Sequence, residues 1–406
     1  MALNSGRRVY RKGMGSRKKR SKTVVNSFLI VIGLAVAVFL GISIAGPIRE
    51  YFRNREIGGA ADPWVPPALP DIIAADSNSG GNTGGGNGGN NSGSPSERAE
   101  RGFSACQIPV SAMTNSDTLK DALIQARTDG YTAAVVTLKD KGGAIYYSTA
   151  SEMALLADNA VKSDLTAEHI CALIVAAGLK PIASVNLLED HNIYGAGRQG
   201  AFKFENSIST WFDNRVDMGG KPWLSPFDTD TQDYAAFLAD EVSKAGFETL
   251  IFDGLVFPPF RSSDLNYIGS IVKNESRYQA LVNLALLAAD AAASNGAASM
   301  LHISAADIIT GGSEIFKPDS LEGATALIYY APESFVKTFV DGNQEIVLSD
   351  MNISDSTTVV FNVISQKAGD KLALIPHVDS TGMNQEDFSD AITSLIALGY
   401  DSYVIS

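Results

Sequence analysis

The chain has 406 residues and 45% of them are hydrophobic, which is enough for one large domain or two average ones with a sizeable core. The charge is unevenly distributed: residues 1–26 contain nine Lys or Arg and no acid, whereas residues 102–406 contain 18 basic and 38 acidic side chains. This excess of acid argues against a nucleic-acid partner for the C-terminal region, because phosphate binding requires a basic surface.

The first predicted elements are a basic cytoplasmic tail and a membrane anchor. Residues 1–26 form the tail, and the apolar segment 27–48 has no charge from Phe28 to Ala45, close to the roughly 20 residues that a helix needs to cross a bilayer. Positive charges before the segment predict a cytoplasmic N-terminus, with everything after residue 48 outside. A cleaved signal peptide is the alternative, although its apolar region is usually only about 7–15 residues long.

Residues 49–101 predict an extracytoplasmic, disordered linker. Its first part contains the proline-stiffened sequence DPWVPPALPD, and residues 77–97 consist mainly of Gly, Asn and Ser. Such a segment cannot bury enough apolar surface to offset the entropy of ordering. We expect a flexible tether that lets a folded domain reach material near a membrane.

From residue 102 to residue 406, short β-rich runs alternate with amphipathic helical patterns, as is typical of a parallel α/β sheet. The eight strand candidates are 106–113, 132–140, 180–188, 248–254, 298–304, 324–331, 372–379 and 401–406. They predict a TIM-type (β/α)8 barrel, which usually takes about 250 residues plus insertions. A ninth run, 357–365, is predicted to be either an excursion hairpin or the true seventh strand. A doubly wound open sheet is the structural alternative.

Acidic residues stand at or just beyond the ends of several predicted strands. In a barrel the active site gathers at these carboxyl ends, although an Asp there can instead cap the following helix. Asp253 fits the capping interpretation least, because Pro258 and Pro259 follow and no helix begins there. The acids concerned are Asp140, Asp190, Asp253, Asp307 and Asp379.

Two carboxylates around a scissile bond are the apparatus of glycoside hydrolysis, one donating a proton and the other attacking carbon or activating water. Aromatic side chains in the long loops could stack on sugar rings or simply anchor the loops; they are Tyr194, Trp211, Trp223, Phe257 and Phe260. His302 and His377 lie in strands, where a histidine is either a core residue or a partner for a sugar hydroxyl.

No cofactor and no metal site are predicted. The four histidines show no metal-ligand spacing, and the glycine pattern of residues 195–200 is not placed between a strand and a helix as a dinucleotide site requires. A calcium ion held by the acidic barrel mouth is the alternative, since hard cations take oxygen ligands.

Three segments together resemble a bacterial family of glycosyl hydrolases, a barrel distantly similar to the alpha-amylase type and often found behind a membrane anchor. VVTLKDKGGAIYYST (135–149) is similar to a family motif in which a strand ends in Lys-Asp, and KPIASVNLLEDHN (180–192) to a strand that closes on an aspartate. WLSPFDTDTQDYAAFLADEVSKAGFETLIFDGLVFP (223–258) resembles the most recognisable family block. The resemblance spans roughly residues 103–406, with its specificity concentrated in 132–258.

The resemblance implies that Asp253 is the nucleophile, as the fourth-strand aspartate is in amylase-type barrels. Those barrels use a Glu after the fifth strand as the acid and an Asp after the seventh to stabilise the transition state, where this chain offers Asp307 and Asp379. The family block normally reads Phe-Asp-Tyr-x-Arg-Phe-Pro, and the run Phe252–Pro258 lacks its Tyr and its Arg. The predicted substrate-binding residues are Lys139, Asp140, Asp190, Tyr194, Trp223, Phe257, His302 and His377.

The sequence therefore predicts a membrane-anchored, extracytoplasmic glycoside hydrolase-like barrel that acts on polysaccharide of the cell envelope or of its surroundings. A barrel that binds carbohydrate or another envelope component without cleaving it is the alternative, motivated by the missing Tyr and Arg. The oligomeric state leaves no readable mark in the sequence.

Overall fold

The computed structural model describes residues 102–157, 160–192, 200–264, 268 and 277–406. The predicted tail, membrane helix and linker, residues 1–101, and the predicted sugar contact Tyr194 lie outside this set. Within the described ranges, no helix is both long enough and apolar enough to span a bilayer.

Eight parallel strands close into a barrel, which confirms the predicted TIM-type architecture and rules out the open sheet. Around the barrel the order is β1, β2, β3, β4, β5, β6, β9 and β10, and β10 pairs back onto β1. The strands are β1 (Ser104–Ile108), β2 (Ala133–Lys139), β3 (Lys180–Asn186), β4 (Thr249–Asp253), β5 (Ala298–Ser304), β6 (Thr325–Tyr330), β7 (Thr338–Asp341), β8 (Gln344–Val347), β9 (Ala373–Val378) and β10 (Tyr403–Ile405). Strands β7 and β8 form an antiparallel hairpin outside the barrel.

Within the described residues the α-helices are α1 (Ser116–Thr128), α2 (Glu152–Leu156), α3 (Ala167–Ala176), α4 (Thr229–Lys244), α5 (Arg277–Ala293), α6 (Ala305–Thr310), α7 (Ile353–Ala368) and α8 (Gln385–Ala397). Side chains such as those of Asp228, Asn352 and Asn384 accept hydrogen bonds from free N–H groups of the first turn and so mark where α4, α7 and α8 begin. Most of the core lies between these helices and the outer face of the barrel.

Two local predictions are wrong. Residues 357–365 form neither a hairpin nor a strand but the middle of α7, whose buried residues Thr357, Val360, Phe361 and Ile364 recur at helical spacing. The Val, Ile and Thr content of the run favours a strand, and this tertiary packing overrides it. The first strand begins at Ser104 and ends at Ile108, because Pro109 follows and the chain then turns into a short 3₁₀ helix.

The interior of the barrel is filled by a layer of small and medium apolar side chains, one or two from each of seven strands. They are Ala105, Ala133, Val135, Ile182, Ile251, Met300, Leu327 and Val404, with Ile375 of β9 packed against them. This layer closes the barrel below its carboxyl end, so any site on the axis must lie above it.

Candidate active site

A layer of polar side chains covers the apolar layer at the carboxyl end of the barrel. Because strand side chains alternate between two faces, the residue two positions after each inward apolar residue also faces inward. Within the strands, the polar residues at those positions are Gln107, Thr137, Ser184, Asp253, His302, Tyr329 and His377. The sequence analysis singled out three of the seven, and applying the same period to every strand would have found the rest.

Asp253, His302 and His377 form a continuous hydrogen-bonded chain across three strands. His302 Nδ1 lies 3.0 Å from Asp253 Oδ1, and His302 Nε2 lies 3.0 Å from His377 Nδ1. The Gly254 backbone N–H also donates to Asp253 Oδ1, at 2.8 Å. The side chain of Asp253 is 39% exposed and His377 is only 5% exposed, so the chain leads from an accessible carboxylate into the protein.

The surroundings of these three side chains set the protonation states of Asp253 and His377. Burial alone raises the pKa of Asp253, but the charge and hydrogen bond of His302, with the Gly254 amide, lower that pKa overall below its ordinary value. Burial, reinforced by the charge of His302, lowers the pKa of His377 to about 3. Asp253 is therefore ionised and His377 neutral near neutral pH.

The ionised state of Asp253 fixes the first hydrogen bond: a carboxylate only accepts, so His302 donates from Nδ1. In the second bond either His302 Nε2 or His377 Nδ1 carries the shared proton. A neutral His377 carries its own proton at Nδ1 when it donates to His302 and at Nε2 when it accepts. His377 Nε2 has no hydrogen-bond partner among the described residues.

A second carboxylate, Asp379, is held at the end of β9. Tyr329 donates its hydroxyl to Asp379 Oδ2 at 2.6 Å, and the Thr381 N–H donates to Oδ1 at 2.9 Å. Burial acts to raise the pKa of Asp379, but these hydrogen bonds lower it overall. The Tyr329 ring also packs edge-on against both His302 and His377, with centroids 5.7 and 5.3 Å away. Tyr329 thus connects Asp379 to the histidine pair.

Two pockets meet at Asp253 and His302. An outer cleft of about 660 Å³ is lined by Glu189, Asp253, Asp307 and Glu314 together with aromatic and proline residues of 255–260. An inner pocket of about 300 Å³ on the barrel axis is lined by polar-layer residues and by Lys139 and Asp140. A ligand in either pocket can therefore reach the Asp253 carboxylate.

An arginine from a distant part of the chain enters the outer cleft. Arg277, at the start of α5, donates from Nη2 to Glu314 Oε1 at 2.6 Å, and its guanidinium lies 4.4 Å from the Phe257 ring centroid. Glu314 Oε2 also accepts the Phe257 N–H at 3.2 Å. The predicted sugar contact Phe257 is thus a buried cleft residue that carries a cation on its ring.

The residue after Asp253, where the family block normally has a Tyr, adopts a backbone conformation that suits glycine. Gly254 has φ +68°, a conformation that disfavours any side chain, and a Cβ at this position would overlap the side-chain amide of Asn186. A Tyr cannot occupy this backbone.

Three of the residues predicted to bind substrate are occupied by internal contacts. Lys139 and Asp190 are 1% and 2% exposed and form an ion pair at 3.1 Å, and Lys139 Nζ also donates to the Asn186 carbonyl at 2.9 Å. Asp140 accepts the N–H groups of Gly142 and Ala144 in the turn that follows β2. These contacts hold the β2 and β3 ends at the barrel mouth.

The remaining predicted residues lie at different depths. Trp223 is buried, donates its indole N–H to Asp213 Oδ2 at 3.0 Å and packs edge-on against His191. Asp307 is exposed in the first turn of α6, where its N–H is capped by Ser304 Oγ, and it lines the outer cleft with Asp253. The candidate metal ligands do not cluster: the described residues contain no group of three or more His, Cys, Asp or Glu side chains arranged to hold an ion.

The fold and the site define the class of protein: an eight-stranded parallel barrel with ionised carboxylates at the C-terminal ends of its strands. Residues 105–307, half of the chain, match the family model described as "Putative glycosyl hydrolase domain", and the chain belongs to this family. The search of curated proteins found no match.

Solved structures resemble this chain at low sequence identity. The PgaB (BpsB) glycoside hydrolase domain from Bordetella bronchiseptica is 13% identical, with 75% of this chain and 94% of that chain covered and a TM-score of 0.54. The glycoside hydrolase domain of PelA from Pseudomonas aeruginosa is 12% identical, with 75% and 93% covered and a TM-score of 0.38. A hypothetical protein from Ruminiclostridium thermocellum is 18% identical, with 48% and 96% covered and a TM-score of 0.41.

Proposed function

We propose that the barrel is a glycoside hydrolase that cleaves a polysaccharide in the outer cleft, with Asp253 as the carboxylate that acts at the anomeric carbon. The observation that carries this proposal is the state of Asp253: it is accessible from the cleft and is held ionised by His302 and the Gly254 amide. A fixed carboxylate of this kind can attack the anomeric carbon or activate a water there. The family description and the Bordetella glycoside hydrolase domain support the same class.

The inner pocket supplies the groups that hold a sugar next to Asp253. Gln107, Thr137 and Ser184 line it with amide and hydroxyl groups, which can exchange hydrogen bonds with sugar hydroxyls. His377 also lines this pocket, and its Nε2 has no hydrogen-bond partner within the described ranges. The linkage to be cleaved then lies where the inner pocket meets the outer cleft, which takes the rest of the polymer.

Asp379 acts through charge in this scheme. Its carboxylate, held ionised by Tyr329 and Thr381, contributes negative potential near the positive charge that develops on the sugar ring in the transition state. Asp307 is the sequence-based candidate for the acid and lines the same cleft.

The proposal includes the location of the enzyme. Segment 27–48 anchors the chain in the cell membrane, the tail 1–26 stays in the cytoplasm, and linker 49–101 places the barrel outside near envelope or environmental polysaccharide. The support is the uncharged apolar segment and the positive charge on its N-terminal side. Alkaline extraction of membranes and protease treatment of intact cells test it: an anchored chain stays with the membrane and loses its barrel to external protease.

The test of activity uses the full chain purified in detergent. Wild type and Asp253→Asn are incubated with a panel of envelope and plant polysaccharides, and new reducing ends and soluble products are measured. Release by wild type that is abolished in Asp253→Asn supports hydrolysis at this site. Binding of a glycan without products would instead support the binding-only barrel that the missing family Tyr and Arg suggest.

A further inference from the structure

We propose that Glu189 is the proton donor of the outer cleft and acts together with Asp253 on the glycosidic oxygen. This inference rests on the proposed function and deepens it by assigning the acid to a residue that the sequence patterns did not single out.

The local backbone places Glu189 beside Asp253. Strands β3 and β4 are neighbours, with Asn186 in register with Asp253, and the Leu187 N–H donates to the Asp253 carbonyl at 2.9 Å. Asn186 Oδ1 then accepts the Glu189 N–H at 2.9 Å and fixes the turn after the strand. Glu189 and Asp253 consequently line the same cleft from adjacent strand ends.

Four carboxylates line the cleft, and their contacts separate their tasks. Glu314 is occupied by an ion pair with Arg277 and by a backbone N–H. Asp307 is exposed to solvent in the first turn of a helix. Asp253 is ionised by its own partners. Glu189 is left as the carboxyl whose surroundings do not favour the anion.

The environment of Glu189 favours its protonated form. The side chain is 25% exposed, and Oε1 of Glu189 lies 3.8 Å from His191 Nε2, beyond hydrogen-bond distance. Burial raises the pKa of Glu189 above its ordinary value, and the negative charge of Asp253 acts in the same direction. His191, Lys141 and Lys139 lower that pKa without cancelling the rise. Two carboxyls with opposite pKa shifts in one site are the pattern of an acid paired with a carboxylate.

The proton and electron balance of the reaction follows from these states. As the bond from C1 to the leaving oxygen breaks, that oxygen takes the Glu189 proton and the leaving sugar departs as an alcohol. In a retaining course the Asp253 carboxylate forms the new bond to C1, and a later water replaces it and returns a proton to Glu189. In an inverting course the water attacks directly and Asp253 takes its proton. Both courses add one water in total.

The test separates the acid from the nucleophile by leaving group. The full chain in detergent is assayed on the polysaccharide that wild type cleaves and on the 2,4-dinitrophenyl glycoside of the sugar released, whose leaving group needs no protonation. We expect Glu189→Gln to lose about 10²–10⁴-fold on the polysaccharide and far less on the aryl glycoside. Its alkaline limb in the pH profile should also disappear. Asp253→Asn should lose both activities.

Controls keep the outcomes distinct. Glu345→Gln on the outlying hairpin is the matched change and should behave like wild type, and thermal unfolding verifies that each variant folds; Glu189→Ala serves if the amide variant does not. Two results would overturn the inference. One is that Glu189→Gln cleaves the polysaccharide as fast as wild type; the other is that Asp307→Asn, rather than Glu189→Gln, loses cleavage of the polysaccharide but keeps cleavage of the aryl glycoside. The proposed function stands in either case if Asp253→Asn is inactive. Absence of cleavage by wild type on every glycan would overturn both.

Discussion

His302 Nδ1 and Asp253 Oδ1 lie 3.0 Å apart at the carboxyl ends of neighbouring strands β5 and β4. The contact gives Oδ1 of Asp253 a side-chain donor in addition to the Gly254 backbone N–H. His302 receives its orientation from His377 on its other nitrogen, in the same way that a third group orients the histidine of a catalytic triad. The barrel thereby sets the direction of an exposed acid through a residue that is almost fully buried.

Replacing His302 should shift the acidic side of the pH–activity profile. His302→Phe removes the charge and hydrogen bond that lower the pKa of Asp253, and burial, which raises that pKa, then dominates. Asp253 would take up a proton at a higher pH, so kcat/KM would begin to fall at a higher pH on the acidic side than in wild type. A pH series of kcat/KM measures this. An unchanged acidic limb with reduced activity would show that His302 acts in some other way.

Replacing His377 should reduce the sensitivity of folding to acid. The folded protein keeps His377 neutral down to about pH 3, whereas the unfolded chain protonates it near pH 6.5. Between these limits the unfolded state binds more protons, so stability rises with pH and is lost as pH falls. Within this window, each unit by which the pH falls lowers the free energy of unfolding by at most about 1.4 kcal/mol through His377.

Denaturant unfolding of wild type and His377→Phe from pH 6.5 to 4.5 checks this prediction above the range in which most carboxylates titrate. The variant should lose less free energy of unfolding across the window. His169→Gln is the control, because His169 is an exposed histidine on α3. Equal pH dependence in wild type and His377→Phe would contradict a neutral buried His377.

The sequence predicts the barrel well because its evidence is local. Alternating strand and helix patterns identify all eight barrel strands, and the acids that follow them mark the mouth. The polar layer is also encoded locally. Asp253 lies two positions after Ile251, and His302 two positions after Met300, so each faces the same side of its strand as the apolar residue before it. The Val and Ile content of α7 misleads, because burial at helical spacing decides the structure there, and the first strand ends five residues earlier than predicted, at Ile108.

Contacts between distant segments could not be predicted in the same way. Lys139 and Asp190 are 51 residues apart in the sequence, which predicts both to bind substrate at the barrel mouth, although they form a buried ion pair. Arg277 enters the cleft from the start of α5, and no spacing rule relates it to Glu314. The raised pKa of Glu189 depends on its burial and on the nearby charge of Asp253, and the two residues come together only once the barrel has closed.

Adding one methyl group at Gly254 should destabilise the site. Gly254→Ala must adopt φ +68° and place its Cβ into the Asn186 amide, so both backbone strain and overpacking apply. Gly296→Ala is the matched control, since Gly296 has φ +82° with no atom within 4 Å of the added Cβ. We expect the free energy of unfolding to fall by about 1–2 kcal/mol in the control and by about 1–3 kcal/mol more in Gly254→Ala. Chemical denaturation compares them; equal losses would mean that the loop moves to accept the methyl group.

Breaking the Lys139–Asp190 pair should cost stability more than affinity. Lys139→Met leaves the Asp190 carboxylate buried without its cation, and loss of one partner of a buried pair costs about 3–5 kcal/mol. Lys244→Met is the control: Lys244 pairs with Asp240 at the surface, where its side chain is 62% exposed, and such pairs contribute about 0–1 kcal/mol. Asp190→Asn and the double variant complete a cycle in which the double variant should lose less stability than the sum of the two single losses, since the second change adds little once the pair is broken. If Lys139→Met keeps wild-type stability and only raises KM for the glycan, Lys139 binds substrate as the sequence suggests, and the buried pair is not what holds the strand ends.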